Sequence, residues 1–105
     1  MTMIAMFFAG ALLCNCIPHL ACGLQGAPFP TPFAKPRGIG ESSPLVNFLW
    51  GALNLFAGVT ILAVDPVAIG LHVDFVVLVA GGLVAGIFMS LHFGRVTKSR
   101  RRPAL

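Results

Sequence analysis

The chain has 105 residues, of which 57% are hydrophobic and only 10% are charged, and its formal net charge is +4. Soluble domains carry roughly 25% charged residues, and a chain this short could not hide so large an apolar share from water. The composition therefore excludes an ordinary water-soluble domain and indicates one small unit in a lipid bilayer. Charged residues are absent from residues 1–34, 42–64 and 75–94, and each stretch can supply the roughly 20 residues of a membrane-spanning helix. We predict an all-α membrane protein with three transmembrane helices.

The first predicted span covers about residues 3–23 and contains Pro18. Proline removes one helical hydrogen bond and crowds the carbonyl group four residues earlier, so we expect a kink there. Neighbouring helices in a membrane bundle can satisfy the freed carbonyl, so we expect the span to continue past the proline. A cleaved signal peptide fits this segment less well, because the segment lacks the Lys or Arg that normally precedes the apolar core.

Residues 24–43 form the predicted loop between the first two spans and are rich in proline and glycine. Pro28, Pro30 and Pro32 alternate with other residues, which favours an extended, polyproline-like backbone. Two interpretations are open. The segment is either a stiff linker or a loop that folds back over the inner mouth of the bundle.

The second predicted span has clear ends. Ser43 can cap the helix, Pro44 suits its first position, and Asp65 with the following proline ends it. The predicted segments after the loop are, in order, a span at about 44–64, a connection at 65–74, a span at about 75–94 and a basic tail at 95–105.

The basic residues indicate the orientation. All seven Lys and Arg residues lie in the loop and in the tail, which three spans place on the same side of the membrane, whereas the connection carries Asp65 and Asp74. The positive-inside rule then puts loop and tail in the cytoplasm and the N-terminus outside. The tail is predicted to contact anionic lipid headgroups through Arg95, Lys98, Arg100, Arg101 and Arg102. A nucleic-acid partner is not expected, because no aromatic or structured motif accompanies these charges.

Few polar side chains fall inside the predicted spans, and each needs a hydrogen-bonding partner at that depth. On a regular helix, Asn15 and His19 share one face of the first span. Asn47 and Asn54 likewise share one face of the second. Comparable depths predict one polar cluster in the cytoplasmic half of the membrane, formed by Asn15, His19, Asn47, Asn54 and Ser90. The cluster is either a helix-packing seam or the polar lining of a substrate or ion path.

Small residues mark possible contact faces. Gly51 and Gly58 lie on the same face of the second span as its two asparagines. In the third span, Gly82, Gly86 and Ser90 repeat every four residues. Glycines let helix backbones approach closely, so both faces are predicted packing seams.

The cysteines of the first span raise the question of a metal site. Cys14, Cys16, His19 and Cys22 form a C-x-C-x-x-H-x-x-C pattern of soft ligands that suit Cu(I), Zn or Hg. Cys14 and Cys16 point about 160° apart on a regular helix, so a shared site requires local unwinding or a second protomer. The spacing matches no standard zinc pattern. The metal site is therefore the weaker interpretation, and we predict no cofactor.

The runs NCIPH at 15–19, FPTPFAKP at 29–36 and SSPLVNFLWG at 42–51 resemble a group of uncharacterised small bacterial inner-membrane proteins. The resemblance covers most of the chain and implies a bacterial cytoplasmic membrane, but no particular chemistry. Small multidrug exporters have a similar length, but they have four spans and a membrane-embedded glutamate. Small mercury transporters carry paired cysteines in the first span, a pattern that Cys14 and Cys16 match only loosely.

Three features together favour a non-enzymatic membrane component, either an accessory protein in a larger membrane complex or a homo-oligomer. The chain is small, its glycines form seams, and nothing resembles a nucleophile with a base and an orienting group. The alternative is a small transporter or channel for a metal ion or small solute that uses the polar cluster as its path.

Overall fold

The computed structural model describes residues 2–100, which form three long helices and a short β-hairpin-like pair. The elements are α1 (Met3–Leu24), β1 (Phe29–Pro30), β2 (Glu41–Ser42), α2 (Pro44–Val64) and α3 (Val73–Arg100). Within this range, all three helices are long and apolar enough to cross a membrane. The predicted helical class is confirmed at that level. The loop also contains a two-residue antiparallel pair, in which Phe29 lies opposite Ser42.

Local sequence explains where the first two helices begin. The Thr2 hydroxyl accepts a hydrogen bond from the backbone N–H of Ala5 at the start of α1, at 3.2 Å. The Ser43 hydroxyl does the same for Val46 at the start of α2, also at 3.2 Å, and Pro44 occupies the first turn. α1 is helical throughout, including at Pro18. Whether Pro18 kinks the helix stays a prediction.

The third helix is longer than its apolar stretch. The helix begins at Val73 and continues to Arg100, so it contains the whole predicted span at about 75–94 and extends beyond it. Gly94 does not adopt the positive φ of a glycine that ends a helix. Lys98 and Arg100 in the last turn also favour the helix, since cations stabilise the negative end of its dipole. The first part of the predicted tail is therefore helical, while Arg101 and Arg102 lie outside the described residues.

Helix α1 lies between the other two helices and packs along both of them. Its contact with α3 is the closest. A Cβ on Gly81 of α3 would overlap the carbonyl oxygen of Phe7, and a Cβ on Gly10 of α1 would overlap that of Leu78. Backbone thus packs directly on backbone at this crossing, which only glycine permits. Neither Gly10 nor Gly81 belongs to the predicted glycine seams.

The contact of α1 with α2 uses the predicted glycine face. A Cβ on Gly51 would lie 2.8 Å from Cγ of Leu20, and a Cβ on Gly58 would lie 2.8 Å from Cδ2 of Leu13. Both distances are shorter than carbon atoms tolerate, so the leucines of α1 fill the space that the missing side chains leave. The Gly82–Gly86 face of α3 also meets α1, since a Cβ on Gly86 would lie 3.5 Å from Sγ of Cys14. The glycine seams are therefore occupied within one protomer.

Between α1 and α2, the loop folds across one end of the bundle, which we call the loop end. The Thr31 and Ser42 hydroxyls are hydrogen-bonded at 2.5 Å, and the Gly38 N–H donates to the Thr31 carbonyl at 2.9 Å. The Phe29 ring lies against the ring of Phe93 on α3, with centroids 4.6 Å apart. Thr31 is buried although it belongs to a loop. Of the two interpretations, these contacts agree with a folded-back loop.

Candidate functional site

The polar cluster centres on a hydrogen bond between the first two helices. Nδ1 of His19 lies 2.8 Å from Oδ1 of Asn47, and both side chains are almost fully buried, at 2% and 0% exposure. Because the amide oxygen can only accept, the imidazole donates from Nδ1. Gly23, one turn further along α1, keeps the helices close here, since its Cβ would lie 2.7 Å from the Phe48 nitrogen.

The amide nitrogen of Asn47 holds the loop. Nδ2 donates to the carbonyl oxygen of Phe29 at 2.9 Å, and it also lies 3.1 Å from that of Ser43 and 3.2 Å from that of Ser42. The Phe29 ring in turn packs edge-on against His19, with centroids 5.5 Å apart. One asparagine therefore links α1, the strand β1 and the start of α2.

A second hydrogen-bonded pair lies further from the loop end. Nδ2 of Asn15 donates to Oδ1 of Asn54 at 3.1 Å, and Nδ2 of Asn54 donates to the carbonyl oxygen of Trp50 at 2.8 Å. Asn54 is buried, at 4% exposure. With the His19–Asn47 pair, the two layers join α1 to α2 at two depths. Asn15 makes one of these hydrogen bonds, and Asn54 makes both the bond to Asn15 and a bond within its own helix.

The structure does not bring Ser90 to the other four residues of the predicted cluster. Ser90 lines a separate surface groove beside Cys14 and Gly86. The prediction placed Ser90 by its depth in the membrane, and depth does not fix the side of a helix on which a residue lies. The polar cluster, as we use the term below, is Asn15, His19, Asn47 and Asn54.

The candidate metal ligands Cys14, Cys16, His19 and Cys22 are not gathered into a site. Among residues 2–100, no group of three or more His, Cys, Asp or Glu side chains is placed to hold a metal ion. The Cys16 thiol donates to the carbonyl of Leu13 at 2.9 Å, whereas Cys14 faces α3 at Gly86. Because α1 is helical throughout, Cys14 and Cys16 point in different directions, as expected for a regular helix.

A groove of about 510 Å³ adjoins the polar cluster. Its floor is α1, its walls come from α2 and α3, and the loop closes it at the loop end. Most of its lining is apolar or aromatic, and its polar side chains are Asn15, His19, Thr31, Arg37, Trp50 and His92. No local sequence pattern marks this groove, because its lining comes from three helices and the loop.

His92 fixes the loop residues that overlie the groove. Its Nε2 lies 2.6 Å from the carbonyl oxygen of Gly38 and donates to it. The rings of Phe88 and Phe93 flank the imidazole, with centroids 5.9 and 5.0 Å away. Gly38 has φ of +70°, a conformation that L side chains rarely adopt. This contact holds the neighbouring Arg37 beside the groove.

Trp50 forms part of the α2 wall. Its ring packs edge-on against Phe33 of the loop, with centroids 5.2 Å apart. Its Nε1 is buried and has no hydrogen-bond acceptor among the described residues. The ring therefore contributes an apolar surface to the groove beside the loop.

Of the basic residues near the end of α3, one contacts the loop and two are exposed. Arg100 donates to the carbonyl of Ile39 and lies 3.7 Å from the Glu41 carboxylate, which ties the helix end to the loop. Arg95 and Lys98 are exposed. These two remain the described candidates for contact with lipid headgroups.

Together, these features define a small protein with three helices of membrane-spanning length, in which an amide and imidazole network fixes a loop across one end. No protein-family model, curated protein or solved structure matches the chain.

Proposed function

We propose that this protein is a non-enzymatic membrane component, acting either as an accessory subunit of a larger complex or as a homo-oligomer. The observation that carries the proposal is the pairing within the polar cluster. His19 bonds Asn47, Asn15 bonds Asn54, and the Nδ2 atoms of Asn47 and Asn54 also donate to backbone carbonyls. Buried polar groups that pair in this way stabilise a fold. A solute path needs groups that are free to bind the solute.

The proposed setting is the cytoplasmic membrane of a bacterium, with the loop end in the cytoplasm and the N-terminus outside. The charges support this orientation. Lys35, Arg37, Arg95 and Lys98 lie in the loop or near the end of α3, whereas Asp65 and Asp74 lie at the other end. The resemblance to small bacterial inner-membrane proteins supports the choice of membrane.

The outward faces of α2 and α3 are the surfaces through which the protein would associate. Large apolar side chains such as Leu53 and Phe56 on α2 and Leu83 and Ile87 on α3 are more than half exposed. In a bilayer these faces meet either lipid or the helices of another protein. Because the glycine seams are used within the protomer, association would occur through these larger side chains.

The test is the mass of the purified protein in mild detergent and in lipid nanodiscs, measured by light scattering and native mass spectrometry. One chain has a mass of 11.0 kDa. We expect a defined multiple of this mass, or a stoichiometric complex with a second membrane protein. The same preparation is then placed in liposomes for ion and solute flux measurements. A monomer whose flux is lost in Asn54→Ala would contradict the proposal and favour the transporter.

A further inference from the structure

The groove beside the polar cluster changes in character along its length. On α1, the groove residues run from Phe8 and Leu12 to Asn15 and then to His19 at the loop end. On α3, they run from Ala85 to His92 in the same direction. Phe8 and Asn15 are about 10 Å apart at 1.5 Å per residue. The groove is thus apolar for two helical turns and becomes polar where the loop covers it.

The only formally charged side chain among the described groove residues is Arg37, and no acidic residue lines the groove. The hydrogen bond from His92 to the Gly38 carbonyl holds the adjacent backbone at the loop end, where the Arg37 side chain is exposed. A guanidinium group with no acidic neighbour in the groove is suited to a phosphate or carboxylate, which it can bind with two parallel hydrogen bonds.

We propose that the groove binds an anionic phospholipid of the adjacent leaflet, with its phosphate at Arg37 and one acyl chain against Leu12, Ala85 and Met89. Three features match this ligand. The groove opens beside α1 where α2 and α3 are not packed against each other, so a lipid can enter sideways. Its polarity runs in the same direction as that of a lipid in the leaflet at the loop end. Its volume of about 510 Å³ lies within the usual range of ligand pockets.

The protein contains its own reporter for this site. Trp50 lines the groove, and it is the only tryptophan in a chain that has no tyrosine. Bromine atoms on an acyl chain quench tryptophan fluorescence at short range. The experiment reconstitutes the full chain into phosphatidylcholine vesicles that contain either brominated phosphatidylglycerol or brominated phosphatidylcholine, at equal bromine content. We expect stronger quenching by the anionic lipid, because lipid that merely surrounds the protein does not discriminate strongly between the headgroups.

Two pairs of variants locate the binding site. Arg37→Gln is expected to lower the relative affinity for phosphatidylglycerol about fivefold, the effect of one basic residue near the surface. Lys35→Gln is the matched control, because Lys35 is an exposed cation of the same loop that does not line the groove. Ala85→Phe fills the groove and should remove the headgroup preference. Val84→Phe changes the neighbouring, outward-facing position and should retain it.

Several results would overturn the proposal. Equal quenching by the two brominated lipids would show that the groove has no preference for an anionic headgroup. An equal loss of preference in Arg37→Gln and Lys35→Gln would assign the effect to general surface charge. Quenching by neither lipid would show that something other than lipid, such as a second copy of the chain, covers Trp50. If Ala85→Phe does not fold, retention of the preference in Arg37→Gln still decides against the site.

Discussion

The side-chain amide of Asn47 on α2 donates to the backbone carbonyl of Phe29 in the loop, at 2.9 Å. The two residues are 18 positions apart, and the bond fixes the loop to the helix that follows it. Asn47 also accepts from His19 on α1, so the same side chain connects the loop to two helices. The Asn47 amide thereby pairs two polar groups, the Phe29 carbonyl and the His19 imidazole, that would otherwise be buried without hydrogen-bond partners. It also holds the loop against the end of the bundle.

We predict that Asn47→Ala destabilises the protein more than any other single change in the polar cluster. The substitution leaves the His19 imidazole and the Phe29 carbonyl without their partner. Unpaired buried groups of this kind cost about 1–3 kcal/mol each, so for these two groups we expect the free energy of unfolding to fall by about 2–6 kcal/mol. Unfolding in detergent by chemical denaturant, followed by circular dichroism, measures the change.

The matched control for this prediction is Leu49→Ala, two residues further along α2. Leu49 is 56% exposed and faces outward, so its truncation should have little effect on the unfolding free energy in detergent. In Asn47→Ala, but not in Leu49→Ala, trypsin should cleave the loop faster after Arg37, since the proline that follows Lys35 blocks cleavage there. Equal stability of the two variants would show that Asn47 does not hold the loop.

A double-mutant cycle on Asn15 and Asn54 tests the second layer of the polar cluster. The amides are hydrogen-bonded at 3.1 Å, and such bonds between membrane helices contribute about 0.6 kcal/mol on average and up to about 1.7 kcal/mol. We predict that Asn15→Ala and Asn54→Ala combine non-additively, with a coupling energy within that range. Purely additive losses would mean that the two amides do not interact.

Gly81→Ala tests the closest helix contact. A methyl group at this position would overlap the Phe7 carbonyl, so α1 and α3 must move apart. Overpacking of this kind costs about 1–3 kcal/mol, and the same loss of stability is expected here. The control is Gly94→Ala, because a Cβ on Gly94 meets nothing within 4 Å. In a helix, that change should be neutral or stabilising by up to about 1 kcal/mol. The prediction is wrong if Gly81→Ala proves as stable as the control.

The three helices can be predicted from the sequence because a helix that crosses a lipid bilayer must be long and nearly free of charge. A span needs a long uncharged run, and the three runs end at residues that the chain marks with charge or with a cap such as Ser43 and Pro44. The end of α3 could not be predicted in this way, because hydropathy shows where an apolar stretch ends, whereas a helix continues until something stops it. Nothing between Gly94 and Arg100 does so.

The polar cluster was predictable only in part. Helical phase and depth point correctly to the contacts of His19 with Asn47 and of Asn15 with Asn54, because α1 and α2 are neighbours whose polar faces turn toward each other. Ser90 was included because of its depth along α3. Depth does not determine which side of α3 a residue lies on, and Ser90 lies away from the cluster. The groove could not be predicted at all. It depends on a loop held by His92 and Gly38, which are 54 positions apart and share no local sequence pattern.

In the proposed topology, three helices cross the membrane and leave the loop and the basic end of α3 on the same side. Site-specific labelling of intact, right-side-out membrane vesicles with an impermeant maleimide tests this directly, using single cysteines at Lys35, Val67 and Lys98 in a background without native cysteines. We predict that only the Val67→Cys variant reacts before the vesicles are permeabilised, and that Lys35→Cys and Lys98→Cys react afterwards. Labelling of Lys35→Cys and Lys98→Cys from opposite faces would contradict this topology.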